Sequence, residues 1–97
     1  MSDLTPTEGA RYLFERGTAA PEHATYKVTV FTPTDTFVGS AELSDTGAVV
    51  TLVAPSELVD YAEMLGKLTA RGAAKKREDG MPPWPARILR WRGPGRG

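Results

Sequence analysis

The chain has 97 residues, no cysteine and a formal net charge of zero, with 40% hydrophobic and 25% charged residues. That length fits one hydrophobic core and is short for two, and the lack of cysteine removes disulfides, thiolate nucleophiles and cysteine-based zinc sites. No stretch approaches the roughly 18 apolar residues that span a bilayer, and no apolar leader follows a basic start. The expectation is one cytoplasmic α+β domain over 1–97, with 1–4 and 93–97 unstructured.

Thr5-Pro6-Thr7-Glu8 has the layout of a helix start, with Thr5 as N-cap, Pro6 in the first turn and Glu8 completing a capping box. Gly17 supplies a stop, so a helix of about three turns is predicted between them. Its Tyr12, Leu13 and Phe14 are adjacent, which leaves the apolar stripe poorly resolved. From Thr25 the period changes to two: Tyr26, Val28 and Val30 alternate with Thr25, Lys27, Thr29 and Phe31, as in a strand with one face on a core. Thr32-Pro33-Thr34-Asp35 turns the chain, Phe37, Gly39, Ala41 and Leu43 alternate again, and Ser44-Asp45-Thr46-Gly47 forms a second turn. A third strand is expected over 48–54.

Two short links in succession make these strands an antiparallel meander, because parallel neighbours need a longer crossover. Val49, Val50, Leu52 and Val53 point the third strand's apolar residues to both faces, which predicts a sheet interior covered on two sides. The second cover would be the first helix or a second copy of the chain.

Leu58, Tyr61, Ala62, Leu65 and Leu68 recur at spacings of three and four, which predicts a helix over 57–70, capped near Ser56 and closed by Gly72. Residues 72–85 then read as a long aperiodic loop, and 86–92 as a last strand on a sheet edge, with Leu89 and Trp91 inward and Arg90 and Arg92 outward. The expected architecture is a three-stranded meander with a helix packed across it, in the order α-β-β-β-α-β.

The zero net charge hides a split: residues 1–66 carry three bases against ten acids, a net of −7, and residues 67–97 carry nine bases against two acids, a net of +7. Asn and Gln are absent and Arg outnumbers Lys eight to four, a bias expected of a GC-rich bacterial genome.

His23 is the sole imidazole, which with no cysteine leaves no basis for a catalytic zinc. Asp35 and Asp45 suit turns, while Glu57 and Asp60 suit a helix start. No catalytic constellation, metal site or cofactor is implied. Lys75, Lys76 and Arg77, with Arg90 and Arg92 around Trp84 and Trp91, combine phosphate-seeking charge with aromatic faces that stack on bases. Phe31, Val38, Val49 and Val53 are the candidate interface on the second sheet face. The first reading is therefore a non-enzymatic protein-interaction or self-associating domain, and the alternative is nucleic-acid binding through the basic C-terminal third.

Overall fold

The computed structural model describes residues 5–93, as a five-stranded antiparallel sheet and one helix. The elements are β1 (Ala10–Ala20), β2 (His23–Phe31), β3 (Thr36–Ser44), β4 (Gly47–Thr51), α1 (Ser56–Glu78) and β5 (Arg87–Arg92). The α+β class holds, but the meander has four strands and the order is β-β-β-β-α-β. The sheet runs β4-β3-β2-β1-β5, so the last strand closes beside the first, on an edge as expected.

The predicted first helix does not form; its residues belong to β1. A lone three-turn helix is marginal in water, whereas an interior strand, as β1 is in this sheet, satisfies both ladders and buries both faces. Tyr12 and Phe14 point to the helix-covered face, Leu13 to the other, and all three are buried. Phe14 lies opposite Val28 on one side and Ile88 on the other, while Leu13 lies between Thr29 and Leu89. The adjacent apolar triplet that blurred a helical stripe is thus the mark of a strand closed on two sides.

The converse correction applies to β4, which is an edge strand and not the sheet interior. Val49 is 64% exposed and Val53, beyond the strand end, 93% exposed. Only alternate residues on this strand reach the core, with Val50 packed against it and Ala48 beside it.

The helix is longer than its predicted span, reaching Glu78 through Gly72, so the first half of the supposed 72–85 loop is helical. Its N-cap is Pro55, with no side-chain capping bond, and not Ser56. The buried stripe is Ala62, Leu65, Gly66, Ala70 and Ala73, and Leu68 stands 51% exposed outside it. Small residues on this stripe let α1 settle closely on β3 and β4, where most of its contact with the sheet lies. A Cβ on Gly66 would come within 2.9 Å of the Ala48 Cβ and 3.0 Å of a Leu43 methyl, so this helical glycine secures the approach despite its propensity cost of about 1 kcal/mol.

Between α1 and β5 the chain is pinned onto β1 and β2. The Trp84 indole N–H donates to the Ala20 carbonyl (2.8 Å), the Arg16 guanidinium donates to the Trp84 carbonyl (2.7 Å), and the Tyr26 hydroxyl donates to the Pro85 carbonyl (2.7 Å). Ile88 then faces the core, and Leu89 and Trp91 lie on the opposite face, the reverse of the predicted orientation of β5. The expectation of unstructured ends falls outside the described residues, apart from Gly93, which is buried.

Candidate functional site

The seven basic and aromatic candidates of the C-terminal third do not form one patch. Lys75, Lys76 and Arg77 sit on the last turn of α1. Lys75 pairs with Asp79 at 3.7 Å in an exposed i,i+4 contact, an arrangement of small energetic weight. Arg77 donates to the Pro21 carbonyl and pairs with Asp45, which ties the helix end to the β1–β2 and β3–β4 turns. Trp84 is 3% exposed and belongs to the core. At the far end of β5, the Arg92 guanidinium lies 4.6 Å above the centre of the Tyr61 ring, and the Trp91 indole N–H donates to the Glu8 carbonyl. Lys76 and Arg90 are the pair that the fold brings together, on the rim of one groove between α1 and β5.

The second sheet face is the larger feature. Register places Leu89, Leu13, Thr29 and Val38 in one row across four strands, with Trp91, Arg11 and Phe31 in the row above. The centre of this face is closed, Leu13 and Thr29 being buried, whereas Val38 is 60% exposed and Trp91 and Leu89 are exposed around it. Phe31 is half-buried. No helix or strand among the described residues lies across this face. Three of the four interface candidates, Phe31, Val38 and Val49, belong to it, and Val53 lies beyond the end of β4. Leu13 and Leu89 are not assigned to this face from the sequence, because the triplet at 12–14 reads as helix and β5 as oriented the other way; Trp91, a base-stacking candidate there, joins this face for the same reason.

On the helix side, a cleft of about 600 Å³ opens between the start of α1 and the paired ends of β1 and β5. Tyr12, Asp35, Glu57 and Arg92 contribute its polar groups, and Phe37 and Leu58 its apolar ones. The Tyr12 and Tyr61 rings are 4.7 Å apart. Burial pushes the Tyr12 hydroxyl up from 10.0 to about 12; Arg92 opposes the rise, and Tyr61 and Glu57 add to it. Tyr26 is raised in the same direction by burial, against the pull of Arg16.

Both shifts make an alkaline prediction. A phenol raised in the folded state holds its proton where the unfolded chain has lost it, so stability is full below pH 10 and falls as pH rises toward 12. Tyr12 alone sets a slope of about 1.4 kcal/mol per pH unit across that window. Urea unfolding followed by circular dichroism at increasing pH is expected to show the loss, and Tyr12→Phe to flatten it.

The remaining polar candidates have structural places. His23 opens β2 opposite Ser44 and is exposed. Asp35 receives a bond from the Thr34 hydroxyl, and its amide donates to Thr32 Oγ1, which fixes the β2–β3 turn. Glu57 stands in the first turn of α1, where its charge favours the helix dipole. Among the described residues no group of three or more His, Cys, Asp or Glu side chains is gathered as for a metal ion, and no helix is long and apolar enough to cross a membrane. Comparison with known protein families, curated proteins and solved structures found no match.

Proposed function

We propose that this chain is a non-enzymatic interaction domain that self-associates through the open face of its sheet. The observation that carries the reading is the exposed apolar margin formed by Val38, Val49, Leu89 and Trp91 on a face crossed by no helix among the described residues. Exposed apolar groups gathered on one face, unlike single scattered ones, are the usual sign of a contact surface.

A second copy is the occupant that the charges favour. The face carries Arg11, Lys27 and Arg87 against Glu15 and Glu42, with Glu15 in register between Lys27 and Arg87. Glu42 lies toward the β4 side and Arg87 on β5 at the opposite margin. A two-fold axis lying between two such faces, parallel to the strands, brings one copy's Glu42 toward the other's Arg87, so that an isologous contact is complementary in charge, with the exposed apolar residues at its two margins.

Light scattering after gel filtration tests this. The expected result is a dimer at micromolar concentration, and conversion to monomer by Val38→Asp with Val49→Asp, with the dissociation constant raised at least about a hundredfold by burying unpaired charge. Both side chains are more than half exposed, so the variant is expected to keep its fold. A wild-type chain that stays monomeric at several hundred micromolar would remove the reading. Nucleic-acid binding draws less support, because Lys75 and Arg77 are held in local ion pairs, Arg92 lies over Tyr61, Lys76 and Arg90 are the pair that shares a groove, and Trp84 is in the core.

A further inference from the structure

The free edge of β5 is the second exposed feature of the sheet. The Arg16 amide donates to the Ala86 carbonyl, which sets the alternation of this antiparallel pair. The backbone groups of Ile88 and Arg90 therefore face β1, and those of Arg87, Leu89 and Trp91 face away from the sheet, where no further strand lies among the described residues. Beside that edge runs a groove of about 230 Å³ against α1, with Leu65, Ile88 and the half-exposed Leu68 as its apolar lining. Lys76 and Arg90 stand on its rim, and its lining residues include no acid. The Arg90 guanidinium donates to the outward carbonyl of Leu89 at 2.9 Å, so the strand's own arginine covers one of the groups that a neighbouring strand needs.

We infer that this edge takes an acidic, extended segment of a partner protein, which adds as a sixth strand beside β5 and sets an apolar side chain against Leu68. Exposed strand edges pair with added strands unless they are guarded, and charge is a common guard. Here the guard is selective. A carboxylate on the incoming strand draws Arg90 off the Leu89 carbonyl in exchange for a charge-assisted bond, whereas a neutral or basic strand offers nothing in return. A second copy of the chain is a poor occupant: its β5 brings Arg87, Arg90 and Arg92 against the same charges, and its other edge strand, Gly47–Thr51, has no acid. The apolar groove floor likewise suits a side chain better than a phosphate backbone.

The test is amide NMR on the full chain, titrated with a pool of nine-residue peptides whose odd positions mix Glu with Val, Leu or Ile and whose even positions are Thr, so that one face of the added strand carries both groups, and with a matching pool in which Lys replaces Glu. The expected result is a set of shifts on Arg87, Leu89, Trp91, Leu68 and Lys76 with the Glu pool alone. Leu89→Pro removes an outward N–H without touching the β1 ladder, and is expected to abolish the binding with the fold retained. Lys76→Glu with Arg90→Glu is expected to weaken the Glu pool at least about tenfold and to admit the Lys pool, a reversal that loss of structure does not produce. Absence of β5 shifts at millimolar peptide, or an equal response to both pools, would overturn the proposal. So would shifts that require a mixed oligonucleotide pool, which would assign the rim to nucleic acid, or shifts that grow with protein concentration alone, which would assign the edge to a second copy.

Discussion

Trp84→Ala is expected to lower the unfolding free energy by about 3–5 kcal/mol, read from urea denaturation. The side chain is 3% exposed, and an indole of that burial removes on the order of 150–250 Å² from water. It also holds the segment between α1 and β5 against β1 beyond the register shift that lies between Arg16 and Ala19. Losing it leaves the Ala20 carbonyl without its indole donor and weakens the neighbouring bonds from Arg16 and Tyr26. Trp84→Phe separates the parts: most of the packing stays, the N–H goes, and a loss of about 1–2 kcal/mol is expected. A loss below about 1 kcal/mol for Trp84→Ala would mean that the segment detaches without consequence, and that the Pro-rich stretch is free to present its aromatic group to a partner.

Gly39→Val is expected to cost about 2–3 kcal/mol, for a different reason. After β4 the chain crosses Gly39 to begin α1, and any Cβ there would meet the Thr51 carbonyl oxygen inside van der Waals contact and lie 3.0 Å from the Leu52 Cα. Those are backbone atoms, which cannot rotate aside. Gly66→Ala is the comparison: its Cβ would lie 2.9 Å from the Ala48 Cβ, which is fixed to the backbone, and 3.0 Å from a Leu43 methyl, which can turn aside, and about 1 kcal/mol of helix propensity offsets part of the strain. It is expected to cost about 1 kcal/mol, less than Gly39→Val. Chemical denaturation gives both values, and hydrogen exchange on β3 and β4 is expected to report local opening for Gly39→Val alone. Equal costs at the two sites would mean that main-chain crowding at Gly39 is no harder to relieve than the helix–sheet contact at Gly66.

What could be read in advance followed local periodicity. The strands at β2 and β3 and the existence of α1 came from alternation and from a three-and-four stripe, because each presents one buried side. What failed were the elements whose burial depends on distant residues. Tyr12, Leu13 and Phe14 look like a ragged helix until β5 is known to lie beside them, and Thr5-Pro6-Thr7-Glu8 supplies a helix start with no helix behind it. Val49 and Val53 look interior until β4 is seen to be an edge. Gly72 looks like a stop, yet Ala70, Ala73 and Ala74 around it carry the helix on.

The candidate surfaces divide in the same way. Phe31, Val38 and Val49 share a face because strand alternation is local. Lys76 and Arg90 meet only through the return of the chain after α1, which no spacing in the sequence encodes.

The pairing of β5 with β1 also orders events in time. Ala10 lies opposite Arg92, so one ladder of β1 waits for nearly the last residues described. During synthesis the four-stranded meander and α1 can assemble first, leaving β1 with its Tyr12, Leu13 and Phe14 as an open edge until β5 emerges. Contacts of such long sequence separation close late and slow the folding of a small sheet. An acidic segment elsewhere in the cell that binds the finished β5 edge would find no site on the nascent chain, since that edge comes into being only at the closing step.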